Sequence, residues 1–114
     1  MKQVLFILLV FISFQGFSQN LKISKCYNLE VMDTDLGKMN YDEAKKACAD
    51  LGDGWRLPTI DELGFLYYRL NAQFNTEESY WSSTNWTRWD FYAGVPEPSF
   101  SDDIYSVRAV RELK

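Results

Sequence analysis

Aromatic side chains are concentrated in residues 80–92, where the sequence reads YWSSTNWTRWDFY. Aromatic rings can stack on the apolar faces of a sugar, and Trp and Tyr add a polar group that hydrogen-bonds at an interface. Two charged side chains, Arg88 and Asp90, lie among the rings and are suited to hydrogen-bond ligand hydroxyl groups. We therefore predict a ligand-binding set in this segment, made up of Trp86, Arg88, Trp89, Asp90 and Tyr92.

The same rings are also what a small β domain needs to fill its core. Side chains alternate along a strand, which places Trp89 and Phe91 on one face and Asp90 and Tyr92 on the other. We expect Trp81 to be buried, together with Phe91 or Tyr92, whichever lies on the inward face. For the remaining rings the pattern leaves both interpretations open.

Catalytic chemistry is poorly supported by the composition. The chain has no histidine, which excludes a histidine-based triad, a histidine general base and histidine metal ligands. Ser82, Ser83 and Thr84 have no histidine to activate them, and no Ser-x-x-Lys pattern includes them. Carboxylates are plentiful, with 16 Asp and Glu residues, but none stands in a sequence context that predicts a raised pKa. We predict a protein that is not an enzyme and needs no cofactor.

Two acidic segments raise the question of a bound cation. Residues 33–38 read DTDLGK, but the later ligands of a calcium loop are missing, so we interpret the segment as a turn. Glu97, Asp102 and Asp103 could gather a cation, and the sequence leaves this open. Residues 96–99 are interpreted as a loop stiffened by its prolines. We predict no metal site.

Residues 54–63, GWRLPTIDEL, place an aromatic ring, a cation and two carboxylates close together. Much of this stretch is helix-initiation chemistry. Pro58 keeps Leu57 out of helical geometry. Thr59 is a good N-cap, and Glu62 stands at the capping-box position three residues later. The stretch therefore predicts an extended segment that leads into a helix.

The remaining elements follow from periodicity. Residues 26–32 alternate as a half-buried strand, with Leu29 and Val31 on one face and Glu30 on the other. An earlier helix begins after Asn40, with Glu43 completing its capping box, and ends at Gly52. From residue 80 the pattern becomes β, and the closing residues 107–112 form a terminal strand. The order of strand, two helices and several strands predicts the α+β class.

The N-terminus has the pattern of a secretory signal peptide. Lys2 precedes an apolar run over residues 4–12, and small and polar residues follow. We predict a signal peptide at residues 1–18, a linker at 19–25 and one domain at 26–112. The apolar run is shorter than the roughly 20 residues of a spanning helix, so we expect no membrane insertion after cleavage. We predict a secreted, periplasmic or cell-surface protein.

The charge balance limits the partners. The chain has 12 basic and 16 acidic residues and a net charge of −4. Nucleic acids and anionic membranes both require a positive field, so we expect neither as a partner.

The chain has two cysteines, Cys26 and Cys48. An even count in an oxidising compartment suggests a disulfide, which would stabilise the fold by about 3 kcal/mol. Alternatively, Cys48 is a small apolar residue on a helix face. The sequence leaves both open.

The order of three sequence blocks resembles a known family. MNYDEAKKACADLGDGWRLPTIDELGFLY, YWSST and VRAVRE follow one another as in the Lcl C-terminal-like domain, a bacterial secreted domain, over residues 26–112. The resemblance implies a C-type-lectin-like fold, with two helices packed on small antiparallel β-sheets. It also implies that the Arg-Leu-Pro-Thr element is a structural joint. Trp55, Pro58 and Trp81 would then be structural residues. Arg56 would pair with a carboxylate, for which Glu62 is one candidate, or with backbone carbonyls near the second helix. The alternative is that Arg56 binds the ligand.

The resemblance also bears on function. Members of the family are associated with adhesion and glycan binding, and their ligand contacts lie in loops of the C-terminal half. Trp86, Arg88 and Trp89 fall in these loops, so we expect them to be exposed. The related sulfatase-modifying enzymes use C-terminal cysteines, and this chain has none after Cys48.

We therefore predict a module that binds a glycan or a surface protein through residues 84–103. The acidic charge argues against a heparin-like polyanion. The alternative is a structural or assembly subunit whose exposed aromatics form a protein–protein interface.

Overall fold

The computed structural model describes residues 21–23, 28–70 and 73–113. The predicted signal peptide and Cys26 lie outside the described residues. Within them, two helices and eight short strands follow one another. In chain order they are β1 (Leu21–Ile23), β2 (Leu29–Val31), β3 (Gly37–Met39), α1 (Tyr41–Asp50), α2 (Ile60–Leu70), β4 (Ser79–Trp81), β5 (Thr87–Asp90), β6 (Val95–Pro98), β7 (Tyr105–Val107) and β8 (Val110–Glu112).

The strands form two sheets. One has the order β1-β2-β8 and is antiparallel throughout. The other has the order β3-β7-β4-β5-β6 and contains one parallel pair, β4 with β7, where Tyr80 lies opposite Ser106. The protein is therefore a small α+β domain. The expectation of antiparallel sheets is wrong for that one pair, because the chain returns to the middle of the sheet after β6.

Both helices begin as predicted. At α1, the Asn40 side chain accepts from the Glu43 amide at 2.9 Å, and the Glu43 carboxylate accepts from the Asn40 amide at 3.2 Å. At α2, Thr59 and Glu62 exchange the same pair of bonds, at 3.1 and 2.9 Å. These reciprocal bonds satisfy amides that a helix start leaves without partners.

The five-stranded sheet is covered by one helix on each face. On β4, Tyr80 packs with residues of α2, whereas the next residue, Trp81, packs with residues of α1. Both side chains are fully buried, so the prediction that Trp81 lies in the core is confirmed. Strand β4 is thus buried on both faces, and the neighbouring β5 holds the adjoining turns in place.

Several segments differ from the sequence pattern. The expected terminal strand at residues 107–112 is divided, because Val107 ends β7 in one sheet and Val110 begins β8 in the other. Glu30 is buried in β2 and its carboxylate accepts from Arg111 at 2.9 Å, so β2 has no solvated face. The prediction that this strand is half-buried is therefore wrong for residues 29–31, because Arg111 pairs with Glu30 on the face that alternation assigns to solvent.

Two segments interpreted as irregular contain strands. Residues 21–23, within the predicted linker, form β1 and pair with β2. Residues 95–98, within the predicted stiff loop, form β6, the edge of the larger sheet. Pro96 and Pro98 have no amide hydrogen, and proline is tolerated on an edge strand because no further strand needs a hydrogen bond there. The missing donors also hinder pairing with another chain.

Among the described residues, neither helix is long and apolar enough to cross a membrane.

Candidate functional site

The Arg-Leu-Pro-Thr element forms a tight joint at the start of α2. The Arg56 guanidinium donates to both carboxylate oxygens of Glu62, at 2.8 and 3.0 Å, and also to Glu112 at 3.0 Å. Burial raises the pKa of Glu62, but hydrogen bonds from Arg56 and Thr59 outweigh it, and the net pKa lies below its ordinary value. A planar fork that meets a buried carboxylate in this way is a structural interaction.

The other joint residues are buried. Trp55 is 9% exposed, and the Arg111 guanidinium lies 4.4 Å from its ring centroid. Pro58 is fully buried. The Arg56 backbone pairs with Val110 of β8 through two hydrogen bonds of 2.8 and 2.9 Å, which ties the joint to the smaller sheet. Contacts of both the side chains and the backbone therefore hold the joint in place.

The joint also anchors the turn between β4 and β5. The Ser83 amide donates to the Pro58 carbonyl at 2.8 Å. The Thr84 hydroxyl accepts from the Ile60 amide, the first residue of α2, at 3.1 Å. The position of the turn is thus set by the residues that begin the second helix.

The turn itself, residues 84–87, has an unusual backbone. The Thr87 amide donates to the Thr84 carbonyl at 3.0 Å, and the two central residues, Asn85 and Trp86, have φ of 47° and 51°. Positive φ at both central positions is the mark of a type I′ hairpin turn, which normally carries Asn-Gly. Trp86 occupies the position that favours glycine, at a conformational cost of about 1–2 kcal/mol.

The turn is made rigid by its neighbours. The Ser82 hydroxyl lies 2.6 Å from that of Thr87 and 3.0 Å from the Thr87 carbonyl. The Thr87 hydroxyl donates to the Thr84 carbonyl at 2.6 Å. These bonds hold the strained conformation, as positive φ in a residue other than glycine requires.

A cavity of about 420 Å³ opens beside this turn, lined by Tyr41, Ser83, Asn85 and Trp86. We call it the Trp86 cavity. The Trp86 side chain is 52% exposed, and its ring centroid lies 6.4 Å from that of Tyr41, at an interplanar angle of 76°. The Tyr41 ring comes from the first turn of α1. The lining residues therefore combine two aromatic rings, the hydroxyl groups of Tyr41 and Ser83, and one carboxamide.

A second cavity of about 190 Å³ adjoins the first, and we call it the Trp55 cavity. Ser83 lines both cavities. Its other lining residues come from α1 and from the joint: Lys45, Ala49, Trp55, Arg56 and Leu57. Arg56 thus contributes to a cavity wall, while its guanidinium nitrogens are held by Glu62 and Glu112.

The five residues predicted to bind ligand are not brought together. The expectation that Trp89 is exposed is wrong: the side chain is 8% exposed and packs on α2. At Gly64 of α2, a Cβ would lie 2.9 Å from two Trp89 ring atoms, so the helix approaches this ring as closely as a glycine permits. The Trp89 indole nitrogen is buried and has no hydrogen-bond partner within the described part of the chain.

Arg88 and Asp90 are occupied by structural contacts. Arg88 donates to the Ser79 hydroxyl at 3.1 Å and to the Pro98 carbonyl at 2.9 Å, and it lies 4.7 Å from the Tyr105 ring centroid. The Asp90 carboxylate accepts from the amides of the next turn, at 2.9 and 3.0 Å. These side chains hold the hairpins that surround β5.

Tyr92 is 81% exposed, but it follows the end of β5, whereas Trp86 precedes its start. The four residues of β5 separate the two rings by roughly 13 Å of strand. Of the predicted set, Trp86 is the member that lines a cavity.

The remaining polar candidates are also accounted for. The Asp103 carboxylate accepts from the Phe100 amide at 2.9 Å and from the Tyr105 hydroxyl at 3.2 Å. Within residues 28–70 and 73–113 no cluster of three potential metal ligands is present. Cys48 is a free, fully buried cysteine, and burial raises its pKa to about 11. Since its proposed partner Cys26 lies outside the described residues, the disulfide stays a prediction.

A buried polar cluster elsewhere is fully paired. Asp35 accepts from the Tyr80 hydroxyl and from Arg108, both at 2.7 Å, and Arg108 lies 4.3 Å from the Phe74 ring centroid. Burial is the main cause that raises the pKa of Tyr80. The cluster joins the residue 32–36 segment to the core and leaves no group for a ligand.

The predicted set of ligand-binding residues omitted three of the lining residues, Tyr41, Ser83 and Asn85, although Asn85 lies within the predicted binding segment 84–103. Tyr41 lies on the buried face of α1 with 8% exposure, and it also lines the cavity. A signal for the turn was present, because Asn in a two-residue connection between β-rich runs indicates a type I′ hairpin.

Comparison of the chain with models of known protein families and with curated proteins finds no match.

Proposed function

We propose that the chain is a non-catalytic binding module that recognises a glycan in the Trp86 cavity. We further propose a C-type-lectin-like fold and kinship with Lcl C-terminal-like domains, which the three sequence blocks and the order of elements support. The proposal includes secretion, which the signal-peptide pattern supports.

The observation that carries the proposal is the conformation of Trp86. Its ring is half exposed beside a cavity, and its backbone adopts a conformation that favours glycine. An Asn-Gly turn would close the same hairpin without this strain. Strained residues held in place by their surroundings cluster at binding sites, because there the strain is compensated by function. The indole is thus explained by a ligand more readily than by the fold.

The chemistry of the Trp86 cavity fits a sugar. Its volume of about 420 Å³ lies within the range of small-molecule sites. The half-exposed Trp86 ring offers an apolar face, Tyr41 adds a mostly buried ring, and Ser83 and Asn85 offer hydrogen-bonding groups without a formal charge. A neutral, polar and ring-shaped ligand requires this combination.

A binding role without catalysis agrees with the titratable groups. Glycosidases need a carboxylic acid whose pKa is raised, so that it can donate a proton. Glu62, which adjoins the cavities through Arg56, has a lowered pKa. Burial places Cys48 in the core, where its raised pKa disfavours the reactive thiolate.

An assembly interface is the second candidate, and a specific observation favours it. Phe100 is 76% exposed and Ile104 is 55% exposed. Both lie in or next to a segment that is hydrogen-bonded to the site. The Ser99 amide donates to the Trp86 backbone carbonyl, and the Tyr41 amide donates to the Ser101 backbone carbonyl. Exposed apolar side chains beside Trp86 would suit a protein partner better than a sugar.

A glycan array with the purified chain tests the proposal. We expect binding to a sugar, and we expect Trp86→Ala to weaken it about tenfold or more, since loss of a central aromatic contact commonly costs over 1.4 kcal/mol. The matched control is Tyr92→Ala, which removes a more exposed ring outside the cavity and should bind as the parent does. The proposal fails if no sugar binds, or if Trp86→Ala and Tyr92→Ala have equal effects.

A further inference from the structure

We infer that the ligand is a linear, neutral oligosaccharide that lies along α1 and occupies both the Trp86 cavity and the Trp55 cavity. This inference rests on the proposed function and specifies its ligand.

The two cavities form one groove with a helical wall. Tyr41 lines the first cavity, and Lys45 and Ala49 line the second. These residues are spaced by four along α1 and therefore lie in a row on one face of the helix. Eight residues of helix advance by about 12 Å, which is longer than a single sugar ring. Ser83 lies where the cavities meet, since it lines both. The groove is thus open to a chain and is not limited to one ring.

The far end of the groove offers an apolar surface. Trp55 and Leu57 line it from the joint, and Ala49 lines it from the helix. The Arg111 guanidinium lies over the Trp55 ring and fixes its orientation. The small side chain of Ala49 leaves room that a larger residue would fill. Aromatic residues therefore lie at both ends of the groove, Trp86 at one and Trp55 at the other.

The charges favour a neutral chain over a polyanion. The Arg56 charge is balanced by contacts with two carboxylates, Glu62 and Glu112. Among the residues lining the groove, this leaves the charge of Lys45, which pairs with no carboxylate in the described part of the chain. Its ammonium lies 5.4 Å from the Tyr41 ring centroid, so Lys45 lines one cavity and approaches a ring that lines the other. One ammonium can donate to the oxygens of a passing sugar chain, whereas a polyanion would require several cations.

The adjacent lysine shows that this arrangement is specific to Lys45. Lys46 is held by Asp50, one turn further along α1, at 2.8 Å. Lys45 has no such partner among the described residues and lines the groove. A donor left available at this point agrees with a ligand that crosses from one cavity to the other.

The test is a chain-length series measured by calorimetry. The probes are neutral β-linked oligosaccharides of glucose, xylose and N-acetylglucosamine, each from the monosaccharide to the hexasaccharide. For the sugar that binds, we expect affinity to rise about tenfold or more as the chain grows beyond one ring, and then to level off.

The variant Ala49→Leu fills the Trp55 cavity while keeping a strong helix former on α1. We expect it to abolish the gain in affinity with chain length. The matched control, Lys46→Leu, adds a leucine to the same helix outside the groove and should retain the gain. Urea unfolding of both variants checks that the fold is retained.

Each outcome is decisive. Binding that Trp86→Ala weakens, but that shows no chain-length gain or keeps it in Ala49→Leu, overturns the extended ligand and leaves the proposed function standing. Stronger binding of a matched sulfated oligosaccharide overturns the neutral ligand. If no saccharide binds, both proposals fail, and capture of a protein through the surface around Trp86 and Phe100 would support the assembly interface.

Discussion

Strand β5 lies between two turns that resolve backbone strain in opposite ways. In the turn after it, the left-handed conformation falls on Gly94, at φ 77°, and the Asp90 carboxylate satisfies the exposed amides. In the turn before it, the left-handed positions are Asn85 and Trp86. The turn after β5 is therefore arranged for local stability. The turn before β5 keeps a bulky ring in a strained position, and a cavity opens beside that ring.

Composition alone makes the exposed rings of Tyr92 and Trp86 equivalent, but the two turns distinguish them. Tyr92 is 81% exposed and Trp86 is 52% exposed, so exposure by itself would favour Tyr92 as a contact residue. Tyr92 lies in the turn after β5, where Gly94 takes the left-handed conformation, and it lines neither cavity. The strained backbone of Trp86 and the cavity beside its ring favour Trp86 as the contact residue. Exposure of a ring is common on protein surfaces, and its combination with an unfavourable backbone is rare.

The largest expected effect concerns the strand between the turns. Trp89→Ala should lower the free energy of unfolding by about 3–5 kcal/mol, because it removes a buried indole against which Gly64 packs. Trp86→Ala should lower it by less than about 1 kcal/mol, since that ring is half exposed. Urea unfolding measures both. Equal losses would show that Trp86 is a core residue and would remove the contrast between the turns.

Gly94→Ala should destabilise the protein by about 2 kcal/mol, because φ is positive and the new Cβ would lie 2.6 Å from the Tyr67 hydroxyl oxygen. The control is Gly52→Ala, where φ is also positive but no atom lies within 4 Å of the new Cβ. Thermal or urea unfolding should show a smaller loss there, of about 1 kcal/mol. A larger loss at Gly52 would mean that the turn after β5 tolerates a side chain.

The smallest expected effect comes from the backbone strain at Trp86, which two substitutions at this position can measure directly. Trp86→Gly and Trp86→Ala both remove the indole, but only glycine adopts positive φ without strain. We expect the glycine variant to be more stable by about 1 kcal/mol, while both variants bind sugar about tenfold or more weakly than the parent does. At Tyr92, whose φ is not in the left-handed region, glycine should be no more stable than alanine. A glycine variant at residue 86 that is no more stable than alanine would contradict the strain.

Local chemistry made much of the framework predictable. Asn40 with Glu43, and Thr59 with Glu62, mark helix starts whose bonds form within four residues, so no distant contact is needed to specify them. The pairing of Arg56 with Glu62 does not follow from a helix start in this way, because the two residues are six apart in the sequence and Arg56 lies outside α2. The resemblance led to the expectation that this element is structural, and the bidentate contact agrees with it.

What the sequence by itself determined about this protein is therefore the α+β order, the capping of both helices and the burial of Trp81. The tertiary structure alone decided which tryptophans are exposed: Trp89 is buried because α2 presents Gly64 to it, 25 residues away in the chain. It also decided the two cavities, which require α1, the joint and the β4–β5 turn to meet. Periodicity describes one element at a time, whereas a cavity and the burial of a ring depend on what a second element brings against it.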